Sequence, residues 1–228
     1  MQTIVVVGYQ GRMGSMVSKE LSASKRVDYL GGIGSADDLE ESLLRHKPDL
    51  VIDLTNPSAV FSNAKLYIQH NIKAVIGTTG LTDLQIDQLA NQASHKCLGM
   101  MILPNFSIGV ALMQRCVAEI SPYFNHTEII ESHHLEKLDK PSGTALLTQK
   151  NIINHSNDGS KAEVNIHSVR LPGILAKQEI VFANSSEYLS LTHQATNRSA
   201  FMPGLWLAID KIKNCDQFIY GLEKVILL

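Results

Sequence analysis

The segment Glu131-Ser132-His133-His134-Leu135-Glu136-Lys137-Leu138-Asp139-Lys140-Pro141-Ser142-Gly143-Thr144 carries the densest set of reactive side chains in the sequence. Two histidines and two lysines precede Pro-Ser-Gly-Thr, which predicts a helix start with Ser142 as its cap. The first N–H groups of such a helix, at Gly143 and Thr144, have no acceptor inside it and can hold a carboxylate. Lys137 and Lys140 add positive charge, and a histidine can deliver a proton near neutral pH. Adjacent histidines on a strand point to opposite faces, so His133 and His134 serve one ligand only if the strand has ended. A zinc site would need a third ligand; Glu131, Glu136 and Asp139 are near, but there is no His-Glu-x-x-His. A merely solvated charged loop is the plainest alternative. The residue types favour an anion-binding, proton-donating site over both.

A second chemical signal is Gly8-Tyr9-Gln10-Gly11-Arg12-Met13-Gly14, between an apolar run and a helical stripe. Glycines there let the backbone turn sharply and approach a pyrophosphate held at the helix N-terminus. The spacing is Gly-x-x-Gly-x-x-Gly, with Gln10 where the usual motif has its middle glycine. The acidic residue expected about 20 positions on, to bind the adenosine ribose, is missing or displaced: Ile33-Gly34-Ser35 stands there and Asp37-Asp38 follow. Arg12 is a candidate partner for a 2′-phosphate, so NADH and NADPH both remain open. Asp53-Leu54-Thr55, Gly77-Thr78-Thr79-Gly80 and Leu103-Pro104-Asn105-Phe106 each follow a strand, at the edge where open α/β sheets bind ligands.

The elements that must position these groups alternate regularly over the first hundred residues. Strands are predicted at Ile4–Val7, Val27–Ile33, Leu50–Leu54, Ala74–Ile76 and Gly99–Leu103. Between them lie helical stripes: Arg12–Ala23, one capped by Asn56 with Pro57 at its first position, and one opened by a Thr82/Gln85 capping box. This alternation predicts a parallel sheet covered by helices. After Pro104 come a helix over Ser107–Ile120, a strand over Glu128–Ser132 and a helix from about Gly143. Strands over Glu163–Arg170, Glu179–Phe182 and Glu187–Leu191 follow, which predicts a mixed or antiparallel second sheet. Asn154–Lys161 reads as an exposed loop, Leu205–Ile212 as a helix, and Phe218–Tyr220 and Val225–Leu228 as closing strands.

Composition limits the function classes. The 228 residues hold 44% hydrophobic and 18% charged side chains, enough for a core with a smaller appended domain. Twenty Lys+Arg against 22 Asp+Glu give a net charge of −2, and no basic stripe suggests a nucleic-acid partner. No apolar run reaches the roughly 20 residues of a membrane helix, and the start lacks the pattern of a secretory signal. Three widely spaced cysteines read as reduced thiols, so the expected location is cytoplasmic.

The run Glu131–Ala145 resembles the signature Glu-x-His-His-x-x-Lys-x-Asp-x-Pro-Ser-Gly-Thr-Ala of bacterial 4-hydroxy-tetrahydrodipicolinate (dihydrodipicolinate) reductases. Gly11–Gly14, Val51–Asp53, Gly77–Gly80, Pro104–Ser107, Ser168–Arg170 and Leu191–His193 with Ala195 match the same family, in order. The resemblance implies a Rossmann-like dinucleotide-binding domain over residues 1–104, completed by 203–228. It implies a smaller mixed α+β domain for substrate binding and oligomerisation over 105–202. The activity implied is reduction of a cyclic imine dicarboxylate with NADH or NADPH, in diaminopimelate and lysine biosynthesis, by a homotetramer. His133 would be the acid that protonates a ring carbon, with Lys137 as charged substrate contact and second proton donor. His134, Gly143 and Thr144 would hold substrate carboxylates. The cofactor would lie along Gly8, Tyr9, Gln10, Gly11, Arg12 and Met13, along Gly77, Thr78 and Thr79, and along Leu103, Pro104, Asn105 and Phe106. The chain departs from the family at Ile33/Gly34, at Ala176 and Gln178 where a glycine and a histidine are usual, and at Pro203, expected to interrupt a helix. Two rivals share the cofactor site: a dehydrogenase for another imine or keto acid, and a nucleotide sensor without turnover.

Overall fold

The computed structural model describes residues 1–157 and 163–228. The chain forms two compact units, Met1–Pro104 with Gly204–Leu228, and Asn105–Pro203. The first begins β1 (Thr3–Val7), α1 (Arg12–Ala23), β2 (Asp28–Ile33), α2 (Leu39–His46), β3 (Leu50–Asp53) and α3 (Val60–Gln69). It continues with β4 (Lys73–Ile76), α4 (Asp83–His95) and β5 (Met100–Ile102). The second unit contains α5 (Ile108–Ile120), β6 (His126–His133), α6 (Gly143–His155), β7 (Glu163–Arg170), β8 (Ala176–Ala183) and β9 (Tyr188–Ala195). The chain ends with α7 (Met202–Ile212), β10 (Phe218–Tyr220) and α8 (Leu222–Val225).

The first sheet is six-stranded and parallel, in the order β10-β5-β4-β3-β1-β2. Its inner strands β1, β3, β4 and β5 are short apolar runs, buried almost throughout as parallel strands covered by crossover helices must be, while the edge strands β2 and β10 are partly exposed. Val5, Val7, Val51, Ala74, Ile76, Met100 and Ile102 pack with Leu43 of α2, Tyr67 of α3 and Leu89 of α4. The chain leaves β1 for β2 on one side and returns to β3 on the other, so the strand order reverses between β1 and β3. That reversal opens a crevice at the carboxyl ends of these two strands, where open α/β sheets bind their ligands.

The second sheet has the order β7-β6-β8-β9; β6 and β7 are parallel and the other pairs antiparallel. Ile129, Ile180, Phe182 and Val164 face Met113 and Val117 of α5 and Ala145 and Ile152 of α6. The mixed sheet is the one anticipated from strands returning in succession.

Three local expectations are corrected. Asn56 does not cap a helix directly: its Oδ1 accepts from the Ser58 and Ala59 N–H groups in a turn, and α3 starts at Val60. Val225–Leu228 is not a strand, because Leu222–Val225 is a short helix continued by turn hydrogen bonds to Leu228. Pro203 does not interrupt a helix; it is the second residue of α7, where its missing N–H would have no intrahelical acceptor. The expected loop at Asn154–Lys161 starts later, since α6 runs to His155, and its residues from 158 on lie outside the described residues. No helix among the described residues is long and apolar enough to cross a membrane.

Candidate active site

At the β1–β3 crevice the turn after β1 requires its glycines. Gly8 has φ +81°, and a Cβ there would stand 2.6 Å from the Leu54 carbonyl oxygen; one at Gly14 would stand 2.2 Å from the Gly8 oxygen. A backbone this close to its neighbours leaves its outer side clear for a ligand. Four other helices carry side-chain caps, while α1, like α3 and α8, carries none. Asp38, Thr82, Ser107 and Ser142 cap α2, α4, α5 and α6, whereas α1 follows Gly11 with no side-chain cap and no acidic residue in its first turn. The N–H groups at the start of α1 therefore suit a pyrophosphate, and these residues fit a dinucleotide.

Asp53, at the end of β3, organises the neighbouring loops. Its buried carboxylate accepts from Thr55 N and Oγ1 (3.0 and 2.6 Å), Thr78 Oγ1 (3.0 Å), Asn63 Nδ2 (3.1 Å) and Tyr67 OH (2.7 Å). Burial, then the Asp53 charge, raises the Tyr67 pKa, so its hydroxyl stays protonated and donates. Thr78 is thus buried with its hydroxyl directed to Asp53, while Thr79 is exposed. Tyr9 packs against Gly32, and Gln10 against Gly34 at the end of β2. Arg12 is exposed.

In the second unit β6 ends at His133, so His134 lies beyond the strand and the alternation no longer forces the two rings apart. His133 is 14% exposed, and its Nδ1 is 2.5 Å from Oε2 of Glu131, which is fully buried. Arg170, at the end of β7, meets the same carboxylate with two parallel bonds, Nη1 to Oε2 and Nη2 to Oε1, each 2.9 Å. Its Nε donates to the Lys137 carbonyl (3.2 Å), Nη2 to that of Asp139 (2.6 Å) and Nη1 to that of Val169 (2.8 Å). All five guanidinium N–H groups are thereby used.

Burial opposes the Glu131 charge, but bonds from Arg170, Ser168 and His133 outweigh it and hold the carboxyl below its ordinary value. Burial lowers the His133 pKa; Glu131 works against that, and the Lys137 and Arg170 charges add to it. Since an ionised carboxylate only accepts, His133 must carry a proton on Nδ1, leaving Nε2 to exchange.

Lys137 bonds both oxygens of Asp139, each at 2.8 Å. Burial works against the Asp139 charge, and Lys137 together with the Gly143 N–H holds it below its ordinary value. Two of the donors expected to meet a substrate carboxylate thus face an internal one. Ser142 caps α6 as predicted, its Oγ accepting from Ala145 N at 3.2 Å. Gly143 is exposed, and a Cβ there would meet nothing within 4 Å, so neither packing nor backbone geometry demands a glycine. Thr144 Oγ1 accepts from Asn105 Nδ2 at 3.4 Å, and Asn105 Oδ1 accepts from Ser107 N. Two residues expected to serve different ligands are therefore joined. Leu103 and Phe106 are buried.

Sequence reasoning placed Asp53 at the ligand edge and Glu131 and Arg170 in matching motifs, but passed over Asp53 as the organiser of the loops, Glu131 as the partner of His133 and Arg170 as the partner of Glu131. The signal available was parity: Glu131 and His133 are two apart on one strand and share a face. Gln178 lies across from Glu131 on β8, buried, and donates to Thr148 Oγ1 at 2.8 Å. No cluster among the described residues could hold a metal ion.

The chain matches two family descriptions, "Dihydrodipicolinate reductase, N-terminus" over residues 2–106 and "Dihydrodipicolinate reductase, C-terminus" over residues 109–226. It is 40% identical to the 4-hydroxy-tetrahydrodipicolinate reductase of Legionella pneumophila (strain Lens), over 98% of each chain. It is 37% identical to that of Coxiella burnetii (strain Dugway 5J108-111), again over 98% of each. Among solved structures, a dipicolinate-bound dihydrodipicolinate reductase from Paenisporosarcina sp. TG-14 superposes with a TM-score of 0.84. That protein is 31% identical, covering 98% of this chain and 99% of its own. Both halves of the sequence and the two-sheet architecture lead to one assignment: the chain belongs to the dihydrodipicolinate reductase family.

Proposed function

We propose that the chain is a nicotinamide-dependent reductase that converts 4-hydroxy-tetrahydrodipicolinate to tetrahydrodipicolinate, in the route to diaminopimelate and lysine. One observation carries the reading: a histidine fixed on a buried carboxylate ends the strand from which the chain runs through a lysine to the exposed start of α6. The conversion takes up one hydride and one proton and releases water. The nicotinamide group, when bound, supplies the hydride. Gly8 to Met13 would hold the dinucleotide's phosphates, with Gly77 to Thr79 and Leu103 to Phe106 completing its site. His133 delivers the proton from Nε2, with Lys137 near it as a second cation. The N–H groups of Gly143 and Thr144, with His134 and Lys137, take the substrate's two carboxylates by charge-assisted hydrogen bonds. Dipicolinate, the ligand of the Paenisporosarcina protein, is a dicarboxylate of the same class.

The residues after β2 favour NADH. Asp37 accepts from Gly34 N at 2.7 Å through one oxygen, folding back onto the strand end where a ribose-binding acid usually stands. Asp38 accepts from Glu41 N and Glu40 from His70 and Gln69, so Asp37 is the acid folded back to the end of β2, with its second oxygen left for a ribose. A 2′-phosphate would meet Asp37, Asp38, Glu40 and Glu41 with no lysine or arginine from residue 33 to 44. NADH is expected to bind about tenfold tighter than NADPH, a difference of about 1.4 kcal/mol, and Asp37→Asn to narrow that gap. Fluorescence titrations with each nucleotide check it; tighter NADPH binding would assign Arg12 to the 2′-phosphate instead.

The open face of the second sheet carries Ile130 and Val181 beside the Glu128–His167 pair, and supports assembly of a homotetramer through it. The three cysteines are free thiols, which suits the cytoplasm.

The activity is tested by loss of NADH or NADPH absorbance after adding fresh pyruvate–aspartate-semialdehyde condensation product from its synthase. Loss that requires both proteins is the expected result. Tight nucleotide binding without loss would overturn the reading in favour of a sensor or a different substrate.

A further inference from the structure

Glu131 and Arg170 are a costly pair to bury. Glu131 is fully buried and the Arg170 side chain only 6% exposed, and a buried ion pair is often no more stabilising than apolar side chains of the same volume. Stability alone therefore gives little reason for them. Their bonds reach the two groups proposed to handle protons and charge. One carboxylate oxygen takes His133 Nδ1, and the guanidinium that neutralises this carboxylate also takes the carbonyls of Lys137 and Asp139.

We propose that Glu131 and Arg170 are positioning residues, a single buried clamp that fixes the ring orientation and tautomer of His133 and ties the Lys137 loop in register with it. The assignment rests on the proposed role of His133 as acid and goes beyond it. Glu131 keeps the proton on Nδ1, so Nε2 alone exchanges. Arg170 keeps Glu131 ionised, so the carboxylate does not take the Nδ1 proton itself. The same guanidinium holds the chain at residues 137 and 139, so ring and ammonium are set from one point. A lysine at 170 could not replace it, because an ammonium has three donors and no planar fork for the carboxylate.

The tautomer can be read in the unsubstituted protein without any substrate, which separates this proposal from the identity of the reaction. Nitrogen-15 NMR of the histidine rings, with His133 identified by its loss in His133→Gln, is expected to show neutral His133 as the Nδ1–H form. An Nε2–H form would overturn the clamp even if the reductase activity is found. A normal Nδ1–H signal with no reductase activity would leave the clamp standing and reject the substrate.

Two variants extend the test. Glu131→Gln turns one acceptor into an amide donor that can face Nδ1 and invert the tautomer, so it should lose about 10²-fold or more in kcat, as should Glu131→Leu, which removes the acceptor altogether. In both, KM should stay within about threefold of the parent, because neither residue meets the substrate. The charged groups facing the ring are Glu131, Arg170 and Lys137. Removing the Glu131 charge leaves two cations, so the midpoint of the kcat/KM pH profile should move to lower pH. Arg170→Lys should instead raise KM through the loosened Lys137 loop. If these proteins lose thermal stability but the folded fraction keeps the parental kcat, KM and pH midpoint, the pair is structural and the proposal fails.

Discussion

Replacing His133 with Gln is expected to lower kcat by about 10²- to 10⁴-fold, the usual contribution of a positioned general acid. Glutamine fills a similar space and can still face Glu131, so the fold and the Glu131–Arg170 pair should persist. What disappears is the exchangeable proton on Nε2. Binding of dipicolinate, measured by calorimetry, should change far less than turnover. An unchanged rate in this variant would remove His133 from the chemistry. The pH dependence of the parent enzyme supplies a second check, and its sign follows from the environment of the ring. Burial first, and then Lys137 and Arg170, hold the pKa below the ordinary 6.5 despite Glu131. The free enzyme is thus mostly neutral at His133 at pH 7, and kcat/KM should fall as pH rises through a midpoint below 6.5. A bound dianion raises the pKa of a nearby acid, so the kcat profile should fall at higher pH than the kcat/KM profile. Dipicolinate should likewise draw in protons on binding at pH 7. Coincident profiles and no proton uptake would exclude a direct electrostatic link between ligand and ring.

The second large effect is expected from Lys137→Ala, which should lower kcat/KM by about 10- to 100-fold, the scale of one hydrogen bond to a charged group. The loss should appear in KM as well as kcat, because the ammonium would meet the substrate in both ground and transition states. Lys137 is bonded to both oxygens of Asp139. A substrate carboxylate must therefore compete with Asp139 for the ammonium and for the Gly143 N–H. Dipicolinate binding measured by calorimetry should weaken in Lys137→Ala; parental affinity would rule out the carboxylate contact. The two substitutions can be told apart by that measurement alone, since His133→Gln should spare binding.

The parts of this protein that its sequence determined by itself are those governed by short-range physics. The Thr82/Gln85 capping box, the Ser142 cap and the apolar stripe of α1 depend on residues three or four apart, and each stands where the spacing puts it. The alternation of apolar runs and helical stripes is equally local, so a parallel sheet was legible before any contact was known. The loop from Glu131 to Thr144 was legible because its reactive groups are contiguous. Near the carboxyl terminus locality misled: Val225–Leu228 has the residue types of a strand, but its hydrogen bonds close within a helical turn.

Tertiary structure decided whatever depends on partners far apart in the chain. Arg170 lies 39 residues from Glu131, and only the parallel register of β6 with β7 brings them to one carboxylate–guanidinium contact. Asp53 draws Thr78 in from 25 residues away, which turns a residue expected to face the cofactor toward the interior. The return of Asp37 onto Gly34, likewise, follows from the turn after β2, and motif spacing alone does not contain it. Which residues can carry the chemistry is a matter of composition and spacing. Which nitrogen of His133 faces Glu131 is fixed by strand register and burial, and neither is encoded in any short stretch of the chain.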